Sequence, residues 1–319
     1  MKHCLDRITW RRGVLVILCC FWAVHWGYAP VFGNSTQMQQ RSTYTLAPGN
    51  ALIGHPWEHA IQKGETLLDV ARLYDLGFNE IELLHPDWDP WLPTVGAQVM
   101  IPSFWVLPHA GPAEIVINVA ELRLYRFSKD RRRVTTFPIG IGEKDAVTPI
   151  GNFTISDKKE NPSWSVPPSL RHKYDVRWFP PGPDNPLGDF WMGLNGTRYG
   201  IHGTDVPWSI GRLVTHGCIR LYPEDITVLF DQVAVGTQVN LIYQPVKIGP
   251  LNDRIFVEVH PDIYGRIGDL VSFGFALLHE RGLVYRVDAK KMYRALKQQN
   301  GLPADVTRDP PLQAAEEGG

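Results

Sequence analysis

A chain of 319 residues with 44% hydrophobic and 20% charged side chains has globular composition and room for one large domain plus smaller ones. Its 32 Lys and Arg almost cancel 33 Asp and Glu, so no net field selects nucleic acid or another polyanion as a partner. The 26 Pro and 29 Gly, set among many short apolar runs, favour a loop-rich and mainly β chain.

Lys2, Arg7, Arg11 and Arg12 precede an almost wholly apolar stretch from Gly13 to Ala29. Positive charge followed by an apolar run is the order of a secretory signal, so residues 1–33 are expected to be a signal peptide or an uncleaved signal anchor. The cysteines are Cys4, Cys19, Cys20 and Cys218. With the signal removed, Cys218 is alone and has no intrachain disulfide partner, which leaves a buried inert thiol or a reactive one.

Residues 34–54 are polar, rich in Ser, Thr and Gln, and lack an apolar period; a flexible linker is expected there. A compact unit follows over 55–103. Trp57 to Ile61 reads as a strand, Thr66 as the N-cap of a helix with Asp69 at its third position, and Leu67, Val70, Ala71 and Tyr74 as that helix's apolar face. Asn79 to His85 reads as a second helix stopped by Pro86, and Gln98 to Ile101 as a closing strand. Residues 104–113 read as a second linker.

Glu114 to Ala120 and Leu122 to Phe127 are expected to be strands around a tight turn, followed by a strand from Val134 to Ile141 and another entered through Thr148 to Phe153. Residues 161–188 are dense in Pro without regular period, and are too long for a neutral connector; a lid or a cleft wall is expected. Short strands at 190–194 and 199–202, a helix from Pro223 with Ile226, Leu229, Phe230 and Val233 inward, and a closing strand at 238–243 complete the unit 114–243. Residues 244–300 form a C-terminal extension with a strand at 255–259 and a helix capped by Asp288. Residues 301–319 are expected to be disordered.

One stretch is dense in chemistry: Tyr199-Gly200-Ile201-His202-Gly203-Thr204, then Thr215-His216-Gly217-Cys218-Ile219-Arg220. A free thiol is largely protonated at neutral pH, and a nearby imidazole can take its proton and remain as counter-ion. His216 shares a face with Cys218 in an extended segment, and the 16 positions back to His202 leave room for a strand and a return. The backbone N–H groups of Gly217 and Cys218 can face a developing oxyanion, and Arg220 offers a fork for a carboxylate. Two histidines and one cysteine are also a possible zinc set.

With those motifs stated, two resemblances follow. Gly64-Glu65-Thr66-Leu67, Ala71, Tyr74, Pro86 and the Gly96 to Pro102 ending resemble a LysM module, a small βααβ glycan-binding fold, with His85 where that family usually has Asn. His202 followed by Thr215-His216-Gly217-Cys218, with Ile139-Gly140-Ile141-Gly142, Thr148-Pro149, Gly151 and Phe153, resembles the catalytic domain of L,D-transpeptidases, the YkuD domain. Many members carry Asn two places after the cysteine, where this chain has Arg220.

The resemblance implies an antiparallel β-sandwich catalytic domain with one or two helices. It implies that Cys218 attacks the diaminopimelate carbonyl of a peptidoglycan stem tetrapeptide and releases D-alanine, with His202 as base and the Gly203 carbonyl holding its tautomer. Tyr199, Thr215, His216, Gly217 and Arg220 would line the substrate and oxyanion side, and no metal or organic cofactor is required. The acyl group would pass to an amine, giving a 3–3 cross-link or an attached outer-membrane lipoprotein, or to water, in the periplasm. Two other readings are a non-catalytic wall-binding protein and a zinc peptidase using His202, His216 and Cys218.

Overall fold

Alternation along two neighbouring strands sends side chains into two different cores. Ile115 and Ile117 face one core while Val116 faces the other; Leu124 follows the first pair, and Tyr125 and Phe127 the second. Both faces of the central sheet are therefore covered. The computed structural model describes residues 43–309, so the expected signal at 1–33 lies outside the described residues.

Nine strands make the main sheet, in the order Thr43–Thr45, Arg133–Pro138, Arg123–Phe127, Ile115–Asn118, Gln238–Ile242, Gly151–Glu160, Phe190–Leu194, Gly200–His202 and Ile219–Arg220. The chain is mainly β, as expected, and the pairing is mostly antiparallel. The exceptions are parallel: Gln238–Ile242 against Ile115–Asn118, and Gly200–His202 against Ile219–Arg220. Gln238–Ile242 is not a closing edge strand; it is inserted at the centre of the sheet. The helix Pro223–Gln232 packs Ile226, Leu229 and Phe230 onto one face, beside Ile201 and Ile219.

The other face receives the segment that precedes the sheet. Trp57–Ala60 pairs with Gln98–Ile101 antiparallel, and the helices Leu67–Leu73 and Phe78–Glu82 lie between them in sequence, a βααβ order. Thr66 and Asp69 cap the first helix reciprocally. The second helix stops at Glu82, three residues before the expected His85, whose Nε2 instead accepts the Met100 N–H at 3.1 Å. Pro86 disfavours helical backbone at the residue before it.

This segment is fixed to the sheet by its core and by charge. Ile61, Leu67, Val70 and Ile81 share a core with Val116, Tyr125 and Val134. Buried Arg123 pairs with buried Glu80 at 2.6 Å, and Arg72 grips Glu224 with two bonds of 2.7 and 2.8 Å. A buried ion pair whose partner is removed strands a charge, so Glu80 and Arg123 hold the docking in one register.

Three expectations are corrected here. Residues 43–54 are not a flexible linker: Thr43–Thr45 is the outer strand of the main sheet, and Leu52–Gly54 pairs with Phe104–Val106, which also removes the second expected linker. Residues 301–309 are ordered, with Ala304–Asp305 on the strand Arg254–Val259; residues 310–319 lie outside the described residues. The extension also contains a helix, Leu270–Glu280, whose apolar side packs on Met292 and Leu296 in a third core. On the helix Ala289–Gln298, capped by Asp288, Met292 and Leu296 face inward and Tyr293 is exposed. Lys247 ties the extension to the sheet, buried between Glu121 and Glu258, with His260 at 2.6 Å from Glu258. Among the described residues no helix is long and apolar enough to cross a membrane.

Candidate active site

Three short strands set the site. Trp191 is opposite His202, and His202 is opposite Arg220; Ile201 and Ile219 pair between them and point into the core with the helix Pro223–Gln232. Because side chains alternate, Gly200, His202, Cys218 and Arg220 share the opposite face. Cys218 stands one residue before its strand, beside Gly200, to whose backbone it is hydrogen-bonded. Gly200 has a steric reason to be glycine: a Cβ there would meet the Trp191 ring at 2.6 Å.

His202 is buried and held on both sides. Its Nδ1 lies 2.7 Å from the Gly203 carbonyl, and its ring stacks on Trp191 with centroids 5.8 Å apart. A carbonyl only accepts, so Nδ1 carries the proton and Nε2 keeps the lone pair. Burial, and then the Arg220 cation, push His202 down to about 3, against the backbone carbonyls of Gly203 and Leu187. Cys218 is half-buried, and burial pushes its thiol up, opposed by the Gly200 backbone, Arg220 and Arg198. Burial thus opposes charge on each of the two groups.

The turn before Cys218 is locked by Thr215. Its buried hydroxyl donates to the Cys218 carbonyl at 2.7 Å and accepts the Gly217 N–H at 3.2 Å. The Gly217 N–H is therefore engaged at rest, not directed at an oxyanion as expected. Gly217 has φ +105°, and a Cβ there would meet the Tyr199 ring at 2.5 Å. His216 turns towards the 161–188 excursion, where the Lys173 amine lies 3.1 Å from its Nε2. That excursion is a small hairpin, Trp164–Ser165 with Trp178–Phe179, closed by packing among Trp164, Tyr174 and Phe179.

Arg220 is anchored through its backbone, which exchanges two 2.9 Å bonds with Gly140. Its Nε is buried without a hydrogen-bond partner, and among the described residues no carboxylate lies within ion-pair distance of its guanidinium. An unpaired, partly desolvated cation beside a thiol is a receptor for an anionic ligand group.

A family model for the L,D-transpeptidase catalytic domain, YkuD, matches residues 112–248. The chain is 35% identical to the Escherichia coli protein named probable L,D-transpeptidase YcfS over 285 residues, 84% of this chain and 89% of that one. It belongs to the L,D-transpeptidase family. Two further Escherichia coli relatives are the probable L,D-transpeptidases ErfK/SrfK, 35% identical over 91% of this chain and 96% of theirs, and YbiS, 38% identical over 68% and 74%.

In this L,D-transpeptidase family member the eight expected site residues cluster at one sheet edge and its adjoining turn. The zinc alternative is not supported by geometry: among the described residues the only set of three metal-type ligand atoms within 4.8 Å of one another is Glu121, Glu258 and His260, where Lys247 already sits. Three neighbours of the site were missed from sequence. Trp191 was hidden until its pairing with His202 was known. Lys173 and Arg198 carry no motif, and only the folding of their loops brings them to His216 and Cys218.

Proposed function

We propose that the protein is a cysteine-dependent L,D-transpeptidase acting on peptidoglycan stem tetrapeptides. Family membership and one observation carry this reading: a thiol, an unprotonated imidazole and an unpaired guanidinium share one face of the sheet edge. Arg220 holds a substrate carboxylate. As Cys218 Sγ bonds to the diaminopimelate carbonyl carbon, His202 Nε2 takes the thiol proton, so no free thiolate accumulates. The tetrahedral intermediate collapses with cleavage of the C–N bond, and the imidazolium returns that proton to the leaving D-alanine amine. An incoming amine then attacks the thioester, gives a proton to His202, and the departing sulfur recovers it.

The acceptor is an amine of a second stem or of a lipoprotein, with water as the hydrolytic alternative. The βααβ segment 55–103 acts as a LysM-type glycan module. Because it shares a core with the catalytic sheet, it orients bound glycan instead of acting as a loose tether. The charged and apolar order of residues 1–33 supports export to the periplasm.

The test is incubation of purified protein and Cys218→Ala with disaccharide tetrapeptide, with products and protein followed by mass. D-alanine release and a thioester on Cys218 are expected in the first and absent in the second. Unmodified wild-type protein with no product would leave the wall-binding reading instead.

A further inference from the structure

We infer that Lys173 is a positioning residue that fixes His216 with its proton on Nδ1, so that the two histidines flanking Cys218 are divided into a base and a donor. The inference rests on the reading of Cys218 as nucleophile and His202 as its base, and it assigns the second histidine and the loop opposite it.

An ammonium has donors and no lone pair, so the 3.1 Å approach of Lys173 Nζ to His216 Nε2 requires that Nε2 accept. The neutral ring then carries its hydrogen on Nδ1. His202 shows the same tautomer for another reason, Nδ1–H to the Gly203 carbonyl, and the consequences differ. Among the described residues no protein donor is hydrogen-bonded to His202 Nε2. In His216 the Nε2 lone pair is occupied by an ammonium, so only the Nδ1–H remains to act. Burial first, and then the Lys173 and Arg220 cations, oppose a second proton on the ring, against Glu143 and Asp145, which favour one. The balance lies towards neutral. Lys173 is itself steadied by Glu143 at 3.8 Å, whose N–H donates to the Thr215 carbonyl at 2.8 Å, so the lysine links the excursion to the strand that carries the motif.

The Gly217 N–H is held by Thr215, whereas among the described residues no acceptor is hydrogen-bonded to His216 Nδ1, so that N–H is left as the donor available to substrate. A preorganised donor near the reacting carbonyl strengthens as charge develops on the oxygen.

The experiment uses the full chain with ¹⁵N-labelled histidine and compares wild type, Lys173→Ala and Lys173→Arg, with His216→Gln to assign the ring signals. Wild type is expected to show His216 protonated at Nδ1 and bare at Nε2. Lys173→Ala is expected to mix the tautomers and raise the His216 titration midpoint, and Lys173→Arg to restore both. On tetrapeptide, Lys173→Ala should lower kcat roughly ten-fold with KM little changed, the pattern of a lost transition-state interaction. An unaltered tautomer and midpoint in Lys173→Ala, or an Nε2–H ring in wild type, overturns the inference. Correct tautomers in a protein that turns over no tetrapeptide would overturn the transpeptidase reading and leave the Lys173 assignment standing.

Discussion

Gly217→Ala tests how much of the site rests on one backbone conformation. Gly217 has φ +105°, a region where an L residue costs about 1–3 kcal/mol. The new methyl would also meet the Tyr199 ring at 2.5 and 2.9 Å, and moving a packed ring costs about 1–3 kcal/mol more. A loss near 3 kcal/mol corresponds to roughly 4–5 °C in Tm for a chain of 319 residues, at about 2.1 cal/mol/K of unfolding entropy per residue. The residue lies between His216 and Cys218, and a misplacement of about 1 Å is expected to cost about 10²-fold in kcat. The assays are calorimetric melting and tetrapeptide turnover. Tyr199→Ala separates the two causes: in the double variant the steric part vanishes and the backbone part remains, so losses should be less than additive by about 1 kcal/mol. Strict additivity would show that the Tyr199 contact carries no strain. A Gly217→Ala protein with wild-type melting and turnover would refute the argument entirely.

Four further outcomes are expected. Thr215→Val removes the hydroxyl that serves both Gly217 and Cys218; stability should fall by about 1–3 kcal/mol, and iodoacetamide should alkylate Cys218 at a changed rate. The pH dependence of that alkylation in wild type should show a midpoint above the ordinary thiol value, since burial outweighs Arg220 and Arg198; a midpoint well below it would contradict that effect of burial. Arg220→Gln should mainly raise KM for tetrapeptide and weaken discrimination against a donor stem with an amidated carboxyl, measured by competition; an unchanged preference would remove Arg220 from substrate recognition. Asp75 and Asp225 are hydrogen-bonded to each other, and burial raises Asp75 from 3.8 to about 7. Burial also raises Asp225 well above the usual carboxylate range, so the folded state holds protons that the unfolded chain releases, and this pair's contribution to stability declines as pH rises above about 4. His202 and His260, pushed down by burial, have the opposite slope at acid pH, so the readout is the difference between Asp225→Asn and wild type. That difference should favour the variant increasingly as pH rises above about 4, and a flat difference would exclude the shared proton.

Local chemistry was legible without coordinates. The Thr66–Asp69 cap is a bond between residues three apart, and the inward face of Pro223–Gln232 follows from helical spacing. The candidate nucleophile, the candidate base and Arg220 were visible because one cysteine, two histidines and flanking glycines form one short constellation. What failed were judgements that depend on a distant partner. Thr43–Thr45 is polar and reads as linker, yet it pairs with Arg133–Pro138 some ninety residues away.

The sequence by itself determined the chemical repertoire: which atoms can act as nucleophile, base or cation, and which short segments form helices, since these depend on residue type and on neighbours within a few positions. The tertiary structure alone decided protonation and direction. Burial disfavours charge on His202 and Cys218, Thr215 claims the Gly217 N–H, and Lys173 claims the His216 Nε2. Desolvation and hydrogen-bond partners are properties of the space around a side chain, and that space is built by residues far away along the chain.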